Sequence, residues 1–148
     1  YCLRDPALAI QSKQNMLRSS RDFTHSLNDY EKSVNALLLM REKIPQRVFL
    51  FSIEQYRLAP RATLARLMAF VGVELDDERT EQLLAVPARN TSADQMAARR
   101  ERDGDAVVFQ VLDAAQHALI DASPACQAAR KVLAEAVASA RADGAHAA

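Results

Sequence analysis

Residues 47–53 read Arg-Val-Phe-Leu-Phe-Ser-Ile, a run of β-branched and aromatic side chains with no regular polar alternation. A strand with one face in water alternates apolar and polar residues. A continuous apolar run predicts instead a strand covered on both faces, as in a parallel sheet. Pro45 bounds the run on one side and a helix opening near Pro60 bounds it on the other. Parallel strands need neighbours and covering helices. The other segment that reads as a strand is Tyr1-Cys2-Leu3, so the pattern predicts two short parallel strands in a mostly helical chain. It also places the remaining strands of that sheet upstream of Tyr1.

The helices follow from periodicity and punctuation. Pro6 suits a first helical position and opens a helix carrying Leu8, Ile10, Met16 and Leu17 to about Ser19. From Asp22 to about Lys43, Phe23, Leu27, Tyr30, Val34 and Leu37 recur at steps of four and three, which lays one apolar stripe along a helix. Pro60 starts another, with Leu64, Leu67, Met68 and Val71 inward and Gly72 as its stop. Asp76 caps a short helix through about Val86. Residues 87–104 lose the apolar pattern and read as a polar surface loop. Two further helices are expected, Asp105–Asp121 on Val108, Val111, Leu112, Ala115 and Leu119, and Pro124–Ala142 on Ala128, Val132, Ala136 and Ser139. Residues 1–142 thus form part of a single domain, and 143–148 form an Ala-rich tail expected to fray.

Composition narrows the function classes. The 148 residues carry 19 basic and 19 acidic side chains, so the balance points to no nucleic-acid partner and any anion site must be local. No apolar run approaches the ~18 residues of a membrane span. Cys2 and Cys126 match no metal-ligand spacing and read as two reduced thiols, which suits a cytoplasmic location. Three glycines, at 72, 104 and 144, are too dispersed for a glycine-rich phosphate loop. No metal site is expected; His25 reads as a surface or helix-packing histidine, and neither His117 nor His146 has a carboxylate or cysteine placed to make a triad or metal site.

One junction stands out chemically. In Leu3-Arg4-Asp5-Pro6 a guanidinium leaves the carboxyl end of a strand beside a helix N-terminus, the place where open α/β sheets bind ligands. Free N–H groups and the always charged arginine fork suit a phosphate there, and Ser12 follows about two turns along the same helix. The alternative reading pairs Arg4 with Asp5 or another carboxylate and leaves Ser12 a small helix residue.

The stretch LRDPALAIQS resembles the 3′-phosphate-binding element of the PAPS-dependent sulfotransferases, in which Arg-(Asp/Asn)-Pro follows a strand and a serine comes eight residues after the arginine. The stretch VFLFSIEQYRLAPRATLARLMAFVGVELDDE resembles the same family's strand, Glu-containing turn, Pro-started helix and Phe-(Leu/Val)-Gly ending, with Glu54, Pro60, Leu64, Leu67, Phe70 and Gly72 at the family positions. Together the two cover residues 1–86. The resemblance implies an α/β, P-loop-type fold, of which this chain is the C-terminal portion, truncated at its N-terminus. It also implies transfer of a sulfuryl group from 3′-phosphoadenosine 5′-phosphosulfate (PAPS) to a hydroxyl or amine of a small-molecule or carbohydrate acceptor. By it, Arg4 and Ser12 hold the 3′-phosphate, and Arg99 and Arg100 stand as a loose counterpart of the family's late Arg-Lys-Gly loop. The phosphosulfate loop and catalytic base would lie upstream, so no catalytic residue is assigned here.

Two departures accompany this. Ile53 stands where many members carry an aromatic residue against adenine, and the chain has no tryptophan. The rival reading is a helical module that uses the apolar stripes of 22–43 and 105–142 to bind a partner or form a homo-oligomer. An inactive relative of the family is a third.

Overall fold

The computed structural model describes residues 1–16, 22–86 and 111–145. Strand β1 (Cys2–Leu3) lies parallel to β2 (Phe51–Ser52), with Cys2 opposite Phe51 and Leu3 opposite Ser52. The Tyr1 nitrogen donates to the Phe49 carbonyl at 2.8 Å, and the Phe51 N–H donates to the Tyr1 carbonyl at 2.8 Å. Parallel neighbours require a crossover. It is made by α1 (Pro6–Met16) and α2 (Phe23–Lys43).

Capping explains where these helices begin. The Asp5 carboxylate accepts from the N–H groups of Ala7 at 3.0 Å and Leu8 at 3.2 Å, satisfying donors that the first turn of α1 leaves free. Asp22 does the same for α2 through the His25 N–H at 2.7 Å. The expected α2 stripe is present: Phe23, Val34 and Leu37 are buried, with Leu27 and Tyr30 packed beside them.

The strand expected over 47–53 is shorter than its composition suggests. Pro45–Arg47 forms a 3₁₀ turn, closed by the Val48 N–H donating to the Pro45 carbonyl at 3.3 Å, and only Phe51 and Ser52 are strand. The Ser52 hydroxyl accepts from the Gln55 N–H at 2.9 Å and so caps α3 (Ile53–Leu58), pulling Ile53 out of the sheet. A local side-chain hydrogen bond has outcompeted β propensity. Phe49 and Phe51 are half-buried rather than covered on both sides, and each rests on an aromatic ring, Phe70 and Tyr56 respectively.

Helix α4 (Pro60–Val71) ends at Gly72, whose φ of 75° is left-handed, with the Gly72 and Val73 N–H groups donating to Ala69 and Met68 carbonyls. Thr63 and Leu64 are buried and Val71 is exposed, so the inward face sits nearer the start of α4 than the pattern implied. Helix α5 (Asp77–Leu84), capped by Asp76, is tied to α4 by the Arg61–Glu81 ion pair.

After the undescribed residues 87–110, α6 (Ala114–Ala122) starts later than the expected Asp105, and residues 111–113 are not helical. Asp113 and Gln116 form a reciprocal capping box that sets this boundary. Of the expected stripe Leu112 is buried, Val111, Ala115 and Leu119 are exposed, and Val108 lies outside the described residues; Ile120 is the fully buried residue of α6. Helix α7 (Pro124–Ala145) turns in Ala125, Cys126, Ala129, Val132, Leu133 and Ala140; of the expected Ala128, Val132, Ala136 and Ser139, only Val132 is buried. Its small residues allow α7 to pack closely against α2, α3 and α4.

Two apolar clusters result. Leu3, Val34 and Leu37 meet Ala129, Val132 and Leu133, joining β1, α2 and α7. Ile10 and Phe23 meet Leu112, Ile120 and Cys126, joining α1, α2, α6 and α7. Full burial of each large aliphatic side chain contributes about 1.5–3 kcal/mol. Among the described residues no helix is long and apolar enough to cross a membrane.

The Gly72 backbone gives a direct test. A Cβ added there meets nothing within 4 Å, so the cost of Gly72→Ala is conformational alone and should be about 1 kcal/mol, with Gly72→Asn costing less. Urea denaturation of the two variants checks the order.

Candidate functional site

Arg4 emerges from β1 immediately before α1, held in place by its own backbone: the Tyr30 hydroxyl donates to the Arg4 carbonyl at 2.8 Å. Its neighbour Asp5 is committed elsewhere. Besides capping α1, Asp5 lies 3.6 Å from Arg130 of α7, which also binds Asp121 at 2.6 Å. The Arg4–Asp5 pair that the sequence left open is therefore not formed, and Arg4 makes no ion pair among the described residues.

Arg4 lines a cleft of about 200 Å³ between β1, α1 and α2. Lys13 borders it from α1, and Ser26, Asp29, Tyr30 and Ser33 border it from α2, where steps of three and four residues place them on one helix face. Lys13 Nζ sits 2.6 Å from Asp29 Oδ2, and His25 Nε2 sits 3.2 Å from the same oxygen. The lysine and aspartate charges cancel, leaving Arg4 to set the sign of the cleft. Ser26 is fully buried and its hydroxyl has no hydrogen-bond partner among the described residues.

The sequence-derived candidates divide. Arg4 is at the cleft. Ser12 is half-buried on α1 and does not line it, although the adjacent Lys13 does. Arg99 and Arg100 lie outside the described residues. Glu54 falls in the first turn of α3, with one carboxylate oxygen buried and without a hydrogen-bond partner among the described residues. Lys13, Ser26 and Asp29 were not singled out from sequence. The signal was there in the polar positions 26, 29 and 33, on the face of α2 beside its apolar stripe.

Chemically the cleft offers binding rather than a nucleophile. Burial, with the Glu54 carboxylate adding to it, pushes the Cys2 thiol up despite Arg4, so it stays protonated at neutral pH. Burial likewise raises the fully buried Cys126. Among the described residues no group of three or more His, Cys, Asp or Glu is placed to hold a metal. No protein-family model matches the chain, and neither does any curated protein or any solved structure.

Tyr30 links the cleft to stability. Burial, and then repulsion by Cys126, Tyr1 and Asp5, holds its phenol well above the usual tyrosine range, against the pull of Arg130. The folded state thus keeps this proton more tightly than the unfolded chain, whose tyrosines titrate near ~10. Its contribution is complete below that pH and is lost as pH rises above it. Unfolding free energy measured between about pH 9 and 11.5 should fall, and Tyr30→Phe should shrink the fall, leaving a part from Tyr1, Cys2 and Cys126, which burial also raises. At neutral pH, Tyr30→Phe should cost about 0.5–1.5 kcal/mol for the lost bond to the Arg4 carbonyl.

Proposed function

We propose that this chain binds a 3′-phosphorylated adenosine nucleotide at the carboxyl end of β1, as part of a PAPS-dependent sulfotransferase of P-loop-type α/β fold. The observation that carries this reading is Arg4: a guanidinium without a counter-ion among the described residues, beside a cleft, at the end of a parallel strand. Such an arginine suits the oxygens of a phosphate monoester. The order of strand, two helices, parallel strand and a helix opening at Pro60 and closing at Gly72 agrees with the two motifs that suggested the family.

The residues present fit a phosphate group. Arg4, without an ion pair among the described residues, is the charged donor that such a group needs at the cleft. Ile53, half-buried at the start of α3, offers adenine an apolar contact in place of a stacked ring. In the reaction, the sulfur–oxygen bond to the 5′-phosphate breaks as sulfur bonds to a hydroxyl or amine of a small-molecule or carbohydrate acceptor. The acceptor proton passes to a base, and 3′-phosphoadenosine 5′-phosphate leaves. This chain's role is to orient the nucleotide for in-line transfer; no residue of it is assigned as the base.

The helical-module reading draws less support. The stripe of α2 is spent in the core through Val34 and Leu37, and the inward face of α7 is spent there through Ala129, Val132 and Leu133. Calorimetric titration of 3′-phosphoadenosine 5′-phosphate into the longest natural chain containing this segment tests the nucleotide reading. Saturable binding is expected. Loss of a charged hydrogen-bonding partner, at about 1.5–3 kcal/mol, should make Arg4→Ala at least about tenfold weaker. Affinity unchanged in Arg4→Ala would overturn it.

A further inference from the structure

We infer that Arg130 of α7 is a positioning residue for nucleotide binding: it holds and neutralises the Asp5 carboxylate, so that Asp5 neither pairs with Arg4 nor repels the phosphate that Arg4 receives. This rests on the reading above. Arg4 and Asp5 are consecutive, so the carboxylate nearest in sequence to the ligand-binding cation is the one best placed to cancel it. Capping occupies one oxygen of Asp5 only. Oδ1 accepts from the Ala7 and Leu8 N–H groups at 3.0 and 3.2 Å, and Arg130 Nε lies 3.6 Å from the other oxygen, Oδ2.

Arg130 is itself aimed by a second carboxylate. Its Nη1 binds Asp121 Oδ1, near the end of α6, at 2.6 Å, so one planar fork spans two acids that stand more than a hundred residues apart in sequence. The cleft wall registers both Asp5 and Arg130. Burial is the main reason that the Tyr30 phenol is raised; among the smaller causes Asp5 raises it further and Arg130 pulls it down. Arg130 does not line the cleft, and neither does Asp5. Any effect of Arg130 on affinity by this route passes through the charge of Asp5, which a second substitution can remove.

The test is calorimetric titration of 3′-phosphoadenosine 5′-phosphate into the longest natural chain containing this segment and into its Arg130→Met, Arg130→Lys, Asp5→Asn and Asp5→Asn/Arg130→Met variants. Methionine keeps an apolar stem where the arginine stem packs, and asparagine caps a helix about as well as aspartate, so each change removes mainly a charge. Arg130→Met should bind about three- to fivefold more weakly, the scale set by a partly exposed ion pair. Arg130→Lys should recover part of that loss. In the Asp5→Asn background, Arg130→Met should have no further effect. An equal loss with and without the Asp5 charge would assign Arg130 a purely structural role and overturn the inference. Affinity unchanged in Arg130→Met but lost in Arg4→Ala would also overturn it while leaving the nucleotide reading standing. No binding by the unsubstituted chain would end both.

Discussion

The carboxylate of Asp5 serves the start of α1 and Arg130 of α7 at once. Through it the junction after β1 is fixed both to the helix that follows and to a helix more than a hundred residues later in the sequence. The ion pair is partly exposed and so worth little by itself, about 1 kcal/mol or less, but the shared geometry decides which charges are consumed. With Asp5 occupied twice, Arg4 keeps its charge for whatever enters the cleft. The core supports the same junction from below, since Leu3 is buried against Val34, Leu37 and α7.

Local chemistry made part of this fold readable. Asp22, Pro60, Gly72 and Asp76 mark boundaries by capping or by backbone preference, and α2, α4 and α5 begin or end at them. The failures came where two local signals competed. Residues 47–53 have strand composition, yet Pro45 and Ser52 each offer a hydrogen-bonded turn, and two strand residues survive between them. In α6 the apolar positions Leu119 and Ile120 are adjacent, so the choice of inward face depended on the start. The Asp113–Gln116 box that fixes this start was the overlooked feature.

The cleft was legible on one side only. Arg-Asp-Pro after a strand has a chemical meaning within four residues of sequence, so Arg4 could be singled out. Its position relative to Ser26, Asp29 and Tyr30 depends on how α2 rotates against α1. That rotation is set by Phe23, Val34 and Leu37 finding Ile10, Leu3 and α7, a property of packing rather than of local pattern. Ser12 illustrates the same point from the other direction: its spacing from Arg4 is regular, but Lys13 is the α1 residue that reaches the cleft wall.

The two cysteines occupy opposite environments, Cys126 sealed between α1, α2 and α6, and Cys2 exposed at the rim of the cleft. Reagents that attack thiolates will therefore meet one accessible sulfur, sluggish at neutral pH and faster in mild base because its thiol holds its proton. The wild-type chain in this way carries a single-site attachment point for a fluorophore or spin label beside Arg4. Occupancy of the cleft can be followed from that label without introducing or deleting a residue.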